Sequence, residues 1–211
     1  MTGKVGQLLS WLAITYNCQC LTDPTRLQSL QRELHPDIMG LQGTRLAPRR
    51  DPVTGKKEVH WNQIRGKYQT WNWSRAAATA VTDPSGVSIS LRLRRCLRGM
   101  KAESQTPRDE RLQGRVGCVR WKKPGIIDMA CAVVYLPGGQ RAADRAVYAA
   151  CLGWVRETFA ALPKRCTELV LIDANTHVGA VPVQNAFGDF LIGVTRAAPE
   201  SHMAGQLRAF L

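Results

Sequence analysis

The 211 residues, 45% of them hydrophobic, suffice for one domain with a packed core and exclude a chain that is disordered throughout. Lys and Arg number 29 against 16 Asp and Glu, a formal charge of +13 that favours a polyanionic partner, nucleic acid first among them.

The stretch LLSWLAI has only Lys4 as a basic lead and no clear cleavage site, so it reads as the approach to a first strand, roughly 11–18, and not as a signal peptide. In TDPTRLQSLQREL, Thr22 or Asp23 can cap a helix, Pro24 suits its first turn, and Leu27, Leu30 and Leu34 share one face. Pro36 ends it, and Ile38 to Leu41 form a short strand. Strand, helix, strand makes the two strands parallel neighbours joined by a right-handed crossover. Residues 47–66 are polar and read as a loop or lid.

YQTWNWS, GVSISLRLR, GRVGCVRWKK and IIDMACAVVYLP follow as an antiparallel strand series separated by Gly, Pro and Ser turns. Trp71 and Trp73 alternate onto one face, which favours core over base stacking. A long helix, 141–161, precedes the strand ELVLID, and a last helix opens at Ser201. With no repeat or linker, the chain reads as a single α/β domain, 1–211, with two sheets and helices outside them.

The seven cysteines are odd in number and hold no Cys-x-x-Cys pair, so neither a disulfide framework nor a zinc site is indicated. Cys118 and Cys131 lie in apolar runs as small core residues, which fits an intracellular, reducing compartment, nuclear or cytoplasmic. No apolar run approaches transmembrane length, and no membrane partner is expected.

The chemistry concentrates in ELVLIDANTHVG. The apolar run Leu169 to Ile172 stops at Asp173, and Asn175 follows two places on. Residues two apart at a strand end point the same way. A carboxylate there can orient or deprotonate a water, and an amide can donate to a phosphate oxygen as charge builds on it. The plainer alternative is an Asx turn. Asn17 closes the first strand as Asp173 closes a later one, and Tyr135 ends a third. Ligand sites of α/β proteins collect at such strand ends.

ITYNCQCL, LHPDIMGLQGTRL, GVSISL, GRVGCVRW, CAVVYLPGG and LVLIDANTHVG occur in the order of the endonuclease/exonuclease/phosphatase superfamily, and the chain, over about 11–211, resembles it. The resemblance implies a DNase I-like four-layer α/β sandwich, two mixed sheets flanked by helices. DANTHVG is most similar to the endonuclease domains of non-long-terminal-repeat retrotransposons. It implies a metal-dependent phosphodiester hydrolase acting on nucleic acid, DNA ahead of RNA, with Mg²⁺ or Mn²⁺ as cofactor. By the same resemblance Asn17 helps hold metal and phosphate, Tyr135 contacts the scissile phosphate, Asp173 orients or activates the attacking water, and Asn175 stabilises the pentacoordinate phosphate.

Two departures bear on activity. The family motif resembles LQET, whose Glu is the main metal ligand, and this chain has LQGT with Gly43 in that place. Gln42 and Thr44 can offer neutral oxygens in its place, although strand alternation points Gln42 the other way. A Glu restored at position 43 is expected to raise Mg²⁺ affinity. The family also closes with a Ser-Asp-His strand, and this chain ends at GQLRAFL, so the final strands are expected to be missing and the sheet edges open to association. The expectation is weak or lost hydrolysis; the alternatives are an inactive nucleic-acid-binding retroelement remnant and a phosphatase of a small phosphate ester. Arg92, Arg94, Arg95, Arg98 and Lys101 are candidates for the nucleic-acid path, or else the solvated face of an edge strand. His177 is expected at the cleft rim, and His35, His60 and His202 in solvent.

Overall fold

The chain opens with the expected strand, helix and strand. The computed structural model describes residues 11–19, 21, 23–76, 85–97, 99–138, 141–175 and 203–210. The expectations for Arg98, His177, Ser201, His202 and the Arg95 side chain fall outside these. Strand β1, Ala13–Asn17, leads to helix α1, Pro24–Leu34, and back to β2, Ile38–Gln42, which pairs parallel with β1 so that Asn17 lies opposite Gln42. Asp23 caps α1: its carboxylate accepts the Thr25 backbone N–H at 2.8 Å and hydroxyl at 2.7 Å. Leu27 and Leu30 pack on Leu21, Met39 and Leu41 as their spacing requires, whereas Leu34, expected on the same face, is exposed in the last turn.

Residues 47–66 are not a loop. They carry a two-stranded ribbon, β3 Arg49–Arg50 with β4 Lys57–Glu58, and then β5, His60–Arg65, which turns at Gly66 and Lys67 into β6, Tyr68–Trp73. Strand β5 is an edge, and a polar edge strand lacks the apolar alternation that marks a strand in sequence. Strand β7, Val87–Arg92, lies between β2 and β6, so the first sheet runs β1-β2-β7-β6-β5. It stops two residues short of the expected end, where a wide helical turn, Leu93–Leu97, begins.

The second sheet runs β11-β10-β9-β8: β8 Lys101–Gln105, β9 Val116–Lys123, β10 Ile127–Tyr135 and β11 Thr167–Asp173. Helix α2, Ala142–Ala160, makes the crossover that leaves β10 and β11 parallel, and α3, Ala204–Phe210, packs beside α2 through Leu207. Trp71, Trp73, Ile89, Trp121, Cys131 and Val133 fill the space between the sheets. Gly117 admits Trp73 there: a Cβ on it would stand 2.3 Å from the indole. Tyr148, Cys151, Leu152 and Val155 of α2 cover the far face of the second sheet. The layers are therefore helix, sheet, sheet, helix.

Two side-chain expectations are decided here. Trp71 and Trp73 are core. His60 is not in solvent: its ring stacks on Trp73 at 5.1 Å and 28°, because the edge strand lays its first residue against the end of β6.

Candidate active site

Each sheet contains one parallel pair, and parallel neighbours end together. Asn17 and Gln42 close the pair in the first sheet; Tyr135 and Asp173 close the pair in the second. The two ends meet across the sandwich. Asn17 Nδ2 donates to Asp173 Oδ2 at 2.5 Å, a hydrogen bond between residues 156 apart in sequence. Below it, the fully buried Gln42 amide donates to Thr15 Oγ1 at 2.8 Å and to the Leu171 carbonyl at 3.2 Å. Gln42 thus ties the sheets together and offers nothing at the rim, as alternation requires.

Asn175 sits just beyond β11 with φ 44°, the left-handed region that Asn tolerates. Its backbone N–H reaches Asp173 Oδ1 at 3.3 Å, and its Nδ2 donates to the Leu136 carbonyl at 2.8 Å. DAN therefore forms the Asx turn that the sequence offered as the plainer reading. Tyr135 is half-buried, with the Arg115 guanidinium 5.9 Å from its ring centre and the Arg115 carbonyl accepting its backbone N–H at 2.7 Å. Arg115 was not among the sequence candidates. Pairing outward from the Pro124–Gly125 turn sets Val116 opposite Val134, and so Arg115 beside Tyr135; that count was the available signal.

Gly43 follows β2 with φ +64°, and a Cβ on it would stand 2.9 Å from Asn17 Oδ1. The position is adjacent to Asn17, as expected, and its backbone is one that L side chains rarely adopt. Asp173 is consequently the carboxylate of this centre. Both its oxygens already accept hydrogen bonds, and Asn17 Oδ1 accepts the Gln19 N–H at 3.2 Å. Among the described residues, no three His, Cys, Asp or Glu side chains cluster to hold a metal. Mg²⁺ needs hard oxygen donors in near-octahedral geometry. Among the described residues, a single carboxylate whose two oxygens already accept hydrogen bonds is a poor match to it.

The basic stretch stands elsewhere. Arg92 ends β7 at the opposite end of that strand from Val87, which lies across from Gln42. Lys101 pairs with Lys122, which lies across from Asp128 at the far end of β10 from Tyr135. Arg94 is exposed in the turn between them.

Four layers with two parallel pairs converging on Asn, Tyr and Asp-x-Asn can be compared with solved structures. The AP endonuclease LMAP from Leishmania major superposes with a TM-score of 0.52 at 15% identity, over 87% of this chain and 59% of that one. The endonuclease domain of TRAS1, a telomere-specific non-LTR retrotransposon, superposes with a TM-score of 0.52 at 12% identity, over 96% of this chain and 69% of that one. The chain has the DNase I-like fold. No family model matches it, and no curated protein matches it by sequence. A DNase I-like sandwich accounts for the convergence: each sheet has a parallel pair at its edge, and the two edges lie side by side. This chain spans 59% of the length of the Leishmania protein.

Proposed function

We propose that this chain binds nucleic acid, DNA ahead of RNA, and that its strand-end centre descends from a phosphodiester-hydrolysing endonuclease of retroelement type whose metal-dependent activity is weak or lost. The observation that carries the reading is Asp173, the one carboxylate at these strand ends among the described residues, held by the Asn17 amide at 2.5 Å with Gly43 at φ +64° beside them. Asp173 is suited to orient a water. Tyr135, the free N–H of the Asn175 amide and the nearby Arg115 are suited to a phosphate. Asn17 is a positioning residue that fixes Asp173. The net charge of +13 supports a polyanion as partner. A bridging metal supplies several kcal/mol of transition-state stabilisation to phosphoryl transfer, about a thousandfold or more in rate. A centre that holds one poorly should bind its substrate far better than it cleaves it.

The test is nicking of supercoiled plasmid in Mg²⁺ or Mn²⁺ beside the Asp173→Ala variant, with DNA binding measured on the same samples across a salt series. The expected result is salt-sensitive binding with little or no nicking. Brisk metal-dependent nicking that disappears in Asp173→Ala would overturn the weak-centre reading and make the chain an active nuclease.

A further inference from the structure

The interface between α1 and the first sheet is apolar over β2, as usual for a helix on a sheet, but polar over β6 and β7. Beneath α1 the outer face of β6 and β7 presents Thr70, Asn72, Ser88 and Ser90, all at least 95% buried. Thr70 and Ser90 share a hydrogen bond of 2.7 Å, Gln31 of α1 donates to Ser90 Oγ at 3.4 Å, and Ser88 donates to Asn72 Oδ1 at 2.8 Å. Among the described residues, the buried Nδ2 of Asn72 has no acceptor. Unmet donors of this kind are costly, and a bound ligand or water is the usual remedy.

Asn72 faces a cavity of about 230 Å³ whose other walls include Leu21, Leu46, Trp61 and Gln63. A second cavity of about 400 Å³ shares Gln28, Gln31 and Arg65 with the first, so the two are neighbours along α1, together termed the groove. The far end of the groove is cationic: Arg32, Arg65, Lys67 and Arg92 line it. Among the described residues no carboxylate lines it, and Arg92 pairs with Asp37 at 3.9 Å. Among the described residues, Arg32, Arg65 and Lys67 have no ion-pair partner. The C-terminal end of α1 would oppose an anion here, but the Tyr68 hydroxyl engages the Pro36 carbonyl at 2.9 Å and points toward that of Gln31 at 3.5 Å. None of Asn17, Tyr135, Asp173 or Asn175 lines the groove.

We infer that this groove binds a nucleoside polyphosphate, its heteroaromatic base against Trp61 beside Asn72, and its phosphates among Arg32, Arg65, Lys67 and Arg92. An aromatic face beside side-chain amides suits a base. The guanidinium groups of Arg32 and Arg65, without a carboxylate partner among the described residues, suit phosphate. The groove has the dimensions of a small-molecule pocket.

The test is calorimetric titration of the whole chain with ATP in EDTA, which keeps divalent ions away from the strand-end centre. Saturable binding of one ATP per chain is expected, weakened about tenfold or more in Arg65→Ala/Lys67→Ala, whose sites are exposed and leave the fold intact. Asp173→Ala should bind ATP as the parent does. Inorganic tripolyphosphate should bind more weakly than ATP, and Trp61→Ala should remove that difference. No saturable binding at millimolar ATP would overturn the inference. So would binding indifferent to Arg65→Ala/Lys67→Ala, or tripolyphosphate binding as tightly as ATP, or ATP binding altered by Asp173→Ala.

Discussion

Gly43 is where one residue decides most. Its identity is visible in LQGT, but its backbone is not, and the backbone changes what restoring a Glu would do. At φ +64° a non-glycine residue costs about 1–2 kcal/mol, and a Cβ meets Asn17 Oδ1 at 2.9 Å, so the loop must shift to accept it. Gly43→Glu should therefore melt below the parent in EDTA. It also adds a second carboxylate beside Asp173, so Mg²⁺ should raise its melting temperature more than it raises the parent's, since a ligand that binds only the folded state stabilises it. Thermal melts of both proteins with and without Mg²⁺ check this. Equal responses to Mg²⁺ would mean that position 43 does not face the metal position at all. The placement of Asn17, Tyr135, Asp173 and Asn175 at strand ends was legible because each closes or just follows a strand. Arg115 was hidden because its place beside Tyr135 comes from a cross-strand neighbour, which a linear motif does not contain.

At the level of elements, the legible ones were those with strong local signals. Asp23 and Pro24 mark the start of α1, and the apolar runs of β10 and β11 mark buried strands. Strands β5 and β8 were missed because HWNQIR and KAESQ form sheet edges, where a strand is held by its partner's backbone and its side chains stay largely polar. His60 is the exception within β5. Burial against Trp73 depresses its pKa below the ordinary 6.5, and its Nε2 has no hydrogen-bond partner among the described residues. The folded state resists protonation there, so the unfolded chain binds more protons as pH falls below about 6.5. Stability attributable to His60 is complete above that pH and declines until the pH drops past the folded pKa. His60→Gln should remove this component. Urea midpoints at about pH 7.5 and about pH 5 should therefore differ less in the variant than in the parent. An identical pH dependence in the two proteins would place the His60 ring in water.

The whole molecule has two ends, and that is the scale at which sequence order says least. The order of strands and helices gives four layers, but whether a given Arg shares an end with Asp173 depends on strand direction. Strand β7 runs antiparallel to β2, so its six residues carry Arg92 to the far end, about 17 Å from the rim. Arg94 and Lys101 lie at that same far end, whereas Arg115 lies beside Tyr135. A nucleic acid that crosses the strand ends meets Arg115 and not the basic stretch. Each phosphate contact contributes close to one unit to the slope of log K against log salt on duplex DNA. Arg115→Ala should thus reduce that slope by about one and weaken binding at low salt. The pair Arg94→Ala/Lys101→Ala should leave the slope within error of the parent. If the pair reduces it and Arg115→Ala does not, nucleic acid binds the far end of the sandwich. The strand-end residues would then be the relic of a site the polymer no longer visits.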